Sequence, residues 1–356
     1  MKKILLPALL FIGMHVFAQP YKVIAYYTGN ADSLKLYPLN KLTHIIYSFL
    51  HIRNDSLTFD SEQQKENVKQ IIALKNQYPH LKIMISLGGW GGCEPCSQTF
   101  ATAGGRNTFA TTTAALLNEY QLDGIDLDWE YPAIEGYPGH VYDKADKHNF
   151  TELVKTLRKA MGNGKTLSFA AGGYEDYLNN SIEWDTVMAN VDFVNLMTYD
   201  LVNGYSKVTG HHTPLKDYQP KQQSIDKCVN WLLQHGVKKE QLIIGAAFYA
   251  RVWENVPTGN SGLYNAGSFK EGVSYKKFEN YFSNISGFKY YWDEKAQAPY
   301  QYNKTKQLFA TFDDERSIKA KTKYVRSKQL GGIMFWELVD DKYSGGLVDT
   351  ISEALQ

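Results

Sequence analysis

The run Asp123-Gly124-Ile125-Asp126-Leu127-Asp128-Trp129-Glu130-Tyr131-Pro132 has two chemically different faces when it is extended. Alternate residues of a strand share a face, so Asp126, Asp128 and Glu130 point one way while Ile125, Leu127 and Trp129 point the other. Alone, such a strand could lie half exposed with its acids in water. In a closed parallel barrel its apolar face packs outward on helices, and the acids are driven into the interior and toward the mouth. Three crowded carboxylates do not all ionise cheaply, so at least one keeps a proton near neutral pH. Glu130, the outermost, is placed to donate that proton as a general acid.

The rest of the chain selects the barrel. Runs rich in β-branched and apolar residues recur at 22–27, 43–49, 82–87, 124–129, 166–171, 192–197, 242–248 and 331–336. Ile83-Met84-Ile85 and Leu242-Ile243-Ile244 are apolar at successive positions, as in parallel strands covered on both faces. Helical spacing occupies 62–77, 106–120, 147–161, 224–235 and 314–328. Strands alternating with helices in this way predict an α/β fold, a (β/α)8 TIM barrel. A doubly wound open sheet is the rival, but no G-x-G-x-x-G follows the first strand. The interval between Phe248 and Gly331 is far too long for one helix, and it is dense in Tyr, Phe, Trp and Gly. It predicts a small α+β insertion subdomain at 253–310, after the seventh strand, with the barrel formed by 19–252 and 311–356. Barrel active sites lie at the C-terminal ends of the strands, so the insertion should wall one side of a cleft.

Charge narrows the partners. There are 38 Lys plus Arg against 37 Asp plus Glu, and no run of Lys and Arg longer than a pair. Nothing here attracts nucleic acid or an anionic membrane. The 25 Tyr and 7 Trp supply flat apolar faces with polar tips, which suit a neutral sugar ring. Residues 1–18 place Lys2 and Lys3 before an apolar stretch that ends Val16-Phe17-Ala18. This predicts a signal peptide cut near Ala18, and a secreted or periplasmic, monomeric protein. The stretch is broken by Pro7 and is shorter than the ~20 residues of a membrane-spanning helix.

Cys93 and Cys96 follow Trp90-Gly91-Gly92 in a loop. They are either a short local disulfide or two free thiols; a zinc site would need a second ligand pair, and no second C-x-x-C exists. Cys228 shares helical spacing with Ile225, Trp231 and Leu232 and is expected to be buried. His211 and His212 lack acidic or Cys partners at ligand spacing, so no metal or cofactor is expected.

Four motifs fall at the expected strand ends. Asp123, Asp126, Asp128 and Glu130 fit D-x-x-D-x-D-x-E, and Ser86-Leu87-Gly88-Gly89 fits S-x-G-G. Met197-Thr198-Tyr199-Asp200 fits M-T-Y-D, and the eighth run ends on Trp336. Together these resemble the family 18 glycoside hydrolases, the chitinases. Phe248-Tyr249-Ala250-Arg251, Ala298-Pro299-Tyr300 and Phe312-Asp313-Asp314 resemble the borders of that family's insertion domain.

The resemblance implies chitin and chito-oligosaccharides as substrates, cut with retention of configuration. Glu130 would protonate the leaving oxygen, and the substrate's own N-acetyl carbonyl would be the nucleophile, an exception to the paired-carboxylate scheme. Asp128 would hold the acetamide N–H, Asp126 would share a proton with Asp128, and Tyr199 would orient the acetamide. Asp200 would act near the scissile bond and Trp336 would lie under the sugar, with Tyr26, Trp90, Met197 and Arg251 lining neighbouring subsites. For Ser86 to Gly89, a role in backbone packing is expected ahead of one in catalysis. Glu337 departs from the pattern, since a small residue is expected after Trp336. Two other readings share the fold. One is an endo-β-N-acetylglucosaminidase acting on N-glycans, which a walled cleft disfavours; the other is a chitin-binding lectin, which the presence of Glu130 disfavours.

Overall fold

In the computed structural model, which describes residues 21–219 and 222–356, eight strands pair in parallel around a closed barrel. They are β1 (Lys22–Tyr27), β2 (His44–Arg53), β3 (Lys82–Gly88), β4 (Gly124–Asp128), β5 (Thr166–Gly172), β6 (Phe193–Met197), β7 (Leu242–Ala247) and β8 (Gly332–Trp336). Each pairs with its neighbours in chain order, and β8 closes on β1. This is the predicted (β/α)8 barrel. The expected signal peptide, 1–18, lies outside the described residues. Among the described residues no helix is long and apolar enough to cross a membrane.

The expected helices form at Glu62–Ala73, Ala103–Glu119, Asp146–Met161, Ile225–Gln234 and Glu315–Lys328. Ser61, Thr102, Ser224 and Asp314 fix four of their starts, each side chain accepting a hydrogen bond from a backbone N–H in the first turn. Ile125, Leu127 and Trp129 face these helices in the main apolar layer. Inside the barrel Ile24, Ile46, Met84, Ile243 and Met334 fill a second, smaller core. Ser86, Asp126 and Ser168 are register partners across β3, β4 and β5, so one level of the interior is polar.

The insertion is a five-stranded antiparallel sheet ordered Ser268–Ser274, Tyr249–Glu254, Leu308–Thr311, Ala298–Asn303, Phe288–Asp293. A helix at Phe278–Asn284 accompanies it. The sheet takes up the chain directly after β7, at Tyr249, ahead of the expected 253, because Ala250 and Val252 belong to its own core. Trp253 is fully buried there, and Trp292 is half buried beneath the Arg316 guanidinium.

A buried ion pair locks sheet and barrel together. Lys321, on the helix Glu315–Lys328, and Asp313 are both without solvent exposure and lie 2.5 Å apart. The Asp313 carboxylate also accepts hydrogen bonds from the Ala247 N–H at the end of β7 and from Ser317. Lys321 further donates to Thr213, whose hydroxyl donates to the Thr198 carbonyl after β6. Removing one partner of such a pair leaves a buried, uncompensated charge. Lys321→Ala should therefore lower the free energy of unfolding in urea by about 3–5 kcal/mol, whereas Lys319→Ala on the exposed face of the same helix should change it by no more than about 0.5 kcal/mol.

Candidate active site

The floor of the site is a carboxylate without access to water. Asp126 accepts hydrogen bonds from Tyr26 at 2.9 Å and Ser86 at 3.1 Å on one oxygen, and from Ser168 at 2.6 Å and Asn195 at 3.0 Å on the other. Burial raises its pKa and the four donors oppose that rise. Both oxygens are thus engaged by side chains of β1, β3, β5 and β6. The Asp126 charge also acts on Asp128, raising its carboxyl.

Above it the acids are poorly partnered. Asp128 is buried, and its Oδ1 has no hydrogen-bond partner. Burial first, then the charges of Glu130 and Asp126, push its carboxyl well above the usual range. Glu130 lies one turn of the pleat nearer the mouth. Burial, assisted by the Asp200 charge and opposed by a hydrogen bond from Tyr131, pushes its carboxyl up to about 7. Close like charges make these acids titrate as a set.

Across the cleft, Asp200 is held in the opposite state. Burial alone would raise its carboxyl, but the His212 ring and the Arg251 guanidinium overcome this and hold it well below the usual range. Arg251 grips it with two bonds, of 2.8 and 2.6 Å, and His212 Nδ1 stands 3.5 Å away. The Asp200 backbone is left-handed, with φ 53°. Tyr199 beside it is half buried and packs edge-on against Tyr249 of the insertion. Burial raises its hydroxyl pKa, so it stays a donor.

A cleft of about 1650 Å³ brings together Asp128, Glu130, Met197, Tyr199, Asp200, Arg251, Trp90 and Trp336. Tyr26 is a correction: only 2% exposed, it sits beneath the cleft and donates to Asp126 instead of lining a subsite. The alternation of β1 explains this, since Tyr26 points inward at the level of the polar layer while Tyr27 points to the helices. Phe49 stacks on Trp336 at 5.6 Å and 15°. Trp90, 46% exposed, stands among Tyr131, Tyr137 and Tyr205 at ring distances of 6.4, 5.5 and 6.3 Å. Cys93 and Cys96 are bonded to each other in the loop that carries Trp90. Cys228 is buried. Ser86 does more than shape the backbone, since it donates to Asp126. Gly88 fits the packing expectation: its φ is +100°, and a Cβ there would collide with the Asp128 carbonyl. His211 bonds Asp293, and among the described residues no cluster of His, Cys, Asp and Glu is arranged to hold a metal.

The profile of the glycosyl hydrolases family 18 matches residues 22–341. The chain belongs to that family. This glycosidase is 33% identical over 301 residues to Chitinase A1 of Niallia circulans, covering 78% of this chain but only 43% of that one. It is 27% identical to Chitinase B of Serratia marcescens, over 92% of this chain and 81% of the other. Among solved structures, a family 18 N-acetylglucosaminidase from Paenibacillus barengoltzii superposes with a TM-score of 0.85 at 36% identity, covering 94% and 99% of the two chains.

Sequence reading of this family 18 member passed over Ser168, Asn195, Phe49, Tyr131 and Tyr205. Ser168 and Asn195 carried a signal, as lone polar residues inside apolar strands at inward register. The aromatics carried none, because an aromatic side chain reads alike in solvent and in a cleft. The floor is testable through Tyr26→Phe. Loss of this donor should raise the Asp126 pKa further, read by carboxyl carbon NMR, and cost about 1.5–3 kcal/mol of stability.

Proposed function

We propose that this glycosidase is a chitinase that hydrolyses β-1,4 links between N-acetylglucosamine units with retention, using the substrate's acetamide as nucleophile. One observation carries the reading: Asp128 Oδ1 is buried and unpartnered beside an acid that holds its proton to about 7. An acetamide N–H is the donor that Asp128 lacks. With the N–H held there and the carbonyl turned by Tyr199, the acetamide oxygen attacks the anomeric carbon while Glu130 gives its proton to the leaving oxygen. The oxazolinium formed is positive, and the carboxylates below it stabilise that charge in a site with little water. Water, deprotonated by Glu130, then opens the ring from the same face. Trp336 lies under the reacting sugar, Trp90 stacks on the leaving side, and Met197 and Arg251 border the neighbouring positions. We further propose export after removal of residues 1–18, and action as a monomer.

A second reading, removal of N-acetylglucosamine from a chain end, is favoured by the name of the Paenibacillus barengoltzii relative, which aligns over nearly its whole length. It uses the same acid and acetamide and differs only in product length.

The deciding experiment compares reducing ends released from colloidal chitin with glycans released from a high-mannose glycoprotein; only the first should appear. On partly deacetylated chitosan, every new reducing end should be N-acetylglucosamine, and glucosamine ends at a comparable rate would sink the acetamide nucleophile. Glu130→Gln should lower kcat by ~10²–10⁴ while calorimetry still detects oligosaccharide binding. In pH profiles, Glu130 carries its proton below about 7 and loses it above, so kcat/KM should fall as pH rises through that value. Asp200→Asn removes a negative charge that holds the Glu130 pKa up, so the alkaline limb should move to lower pH.

A further inference from the structure

Strand order sets β8 diametrically opposite β4 and next to β1. Trp336 therefore approaches the centre of the cleft from the side away from Glu130, whose neighbour Tyr131 meets Trp90, the side that takes the leaving group on the chitinase reading. Behind Trp336 three loops are fastened together. Thr28, directly after β1, donates to Glu337, directly after β8, at 2.6 Å. Gly29 lies so near Val339 that a Cβ on it would come within 3.0 Å. Lys276, just past the insertion strand Ser268–Ser274, donates to the Val339 carbonyl. Leu338, fully buried in the barrel core, anchors the strap between them. Asp340 lines the cleft, but among the described residues none of the loop after β1 does.

We infer that the strap Glu337–Asp340, pinned by Thr28, ends the cleft on the non-reducing side, so that the enzyme takes short sugars from the non-reducing end of its chain. This rests on the chitinase reading above. A longer chain passing over Trp336 meets the strap, whereas a terminal sugar ends there. The terminal sugar also carries a free hydroxyl at the position that an internal sugar uses for its next linkage. Carboxylates accept hydrogen bonds strongly from such hydroxyls, and Asp340 faces the cleft with Glu337 beside it. Burial raises both carboxyls, Glu337 to about 7 despite the hydrogen bond from Thr28. A site built around a hydroxyl rejects a substrate that lacks it.

The test is the early product pattern from chitohexaose tagged with a fluorophore at its reducing end. Wild-type enzyme should release untagged mono- and disaccharides first, leaving long tagged fragments. Glu337→Ala and Thr28→Val, which each remove one side of the same bond, should raise the share of longer untagged fragments roughly tenfold. Thr28→Val keeps the side-chain shape and serves if Glu337→Ala does not fold. Tagged fragments of every length from the earliest time would mean internal cutting and would overturn the inference while leaving the chitinase reading intact. Variants with the wild-type pattern would overturn the role of the strap. Failure of wild-type enzyme to cut the hexamer at all would remove both readings.

Discussion

The Asp126 carboxylate lies at the centre of the barrel with no water to solvate it, and hydrogen bonds from four side chains take the place of that water. Those donors come from β1, β3, β5 and β6, so a charge on β4 ties together strands that are far apart in sequence. The dependence runs both ways. A slip of one residue in any of these strands would turn its donor to the outer face and leave the carboxylate buried and short of partners. The register of the barrel and the protonation of its acids are thus one problem with one solution.

That floor sets the gradient above it. Along β4 and the two residues after it the acids go from four donors at Asp126, to none at Oδ1 of Asp128, to Glu130 near the mouth with its carboxyl at about 7. Asp200, only half buried, is kept ionised by Arg251 and His212. Identical functional groups therefore reach different charge states through their neighbours alone, which is how one cleft holds a proton donor and fixed negative charge side by side.

The eight strands and the inward acids were legible because period-two alternation and apolar runs survive in sequence whatever surrounds them. The insertion was legible as a gap too long for a helix. Tyr26 was misplaced because strand alternation says inward but not how deep; depth came from the partners of Asp126 on other strands. The start of the sheet at Tyr249 was hidden for a similar reason, since β7 and the first sheet strand run on with only Phe248 between them. Glu337 was visible as a departure from the pattern, yet its meaning required Thr28, which lies three hundred positions away in the chain.

The buried knot of Asp313, Lys321, Thr213 and Ala247 also bears on how modular the insertion is. Drawn on the sequence, the subdomain looks like a cassette that could be exchanged between relatives at its two ends. Its electrostatic border runs elsewhere: the closing acid answers to a lysine two turns into the next helix, to a backbone N–H of the barrel, and, through Thr213, to the loop that carries Tyr199 and Asp200. A chimera cut at the end of the sheet, after Thr311, would leave this acid two residues outside the exchanged piece. The transferable unit is the sheet together with positions 213, 313 and 321, so the wall of the cleft and its catalytic edge are held as one piece.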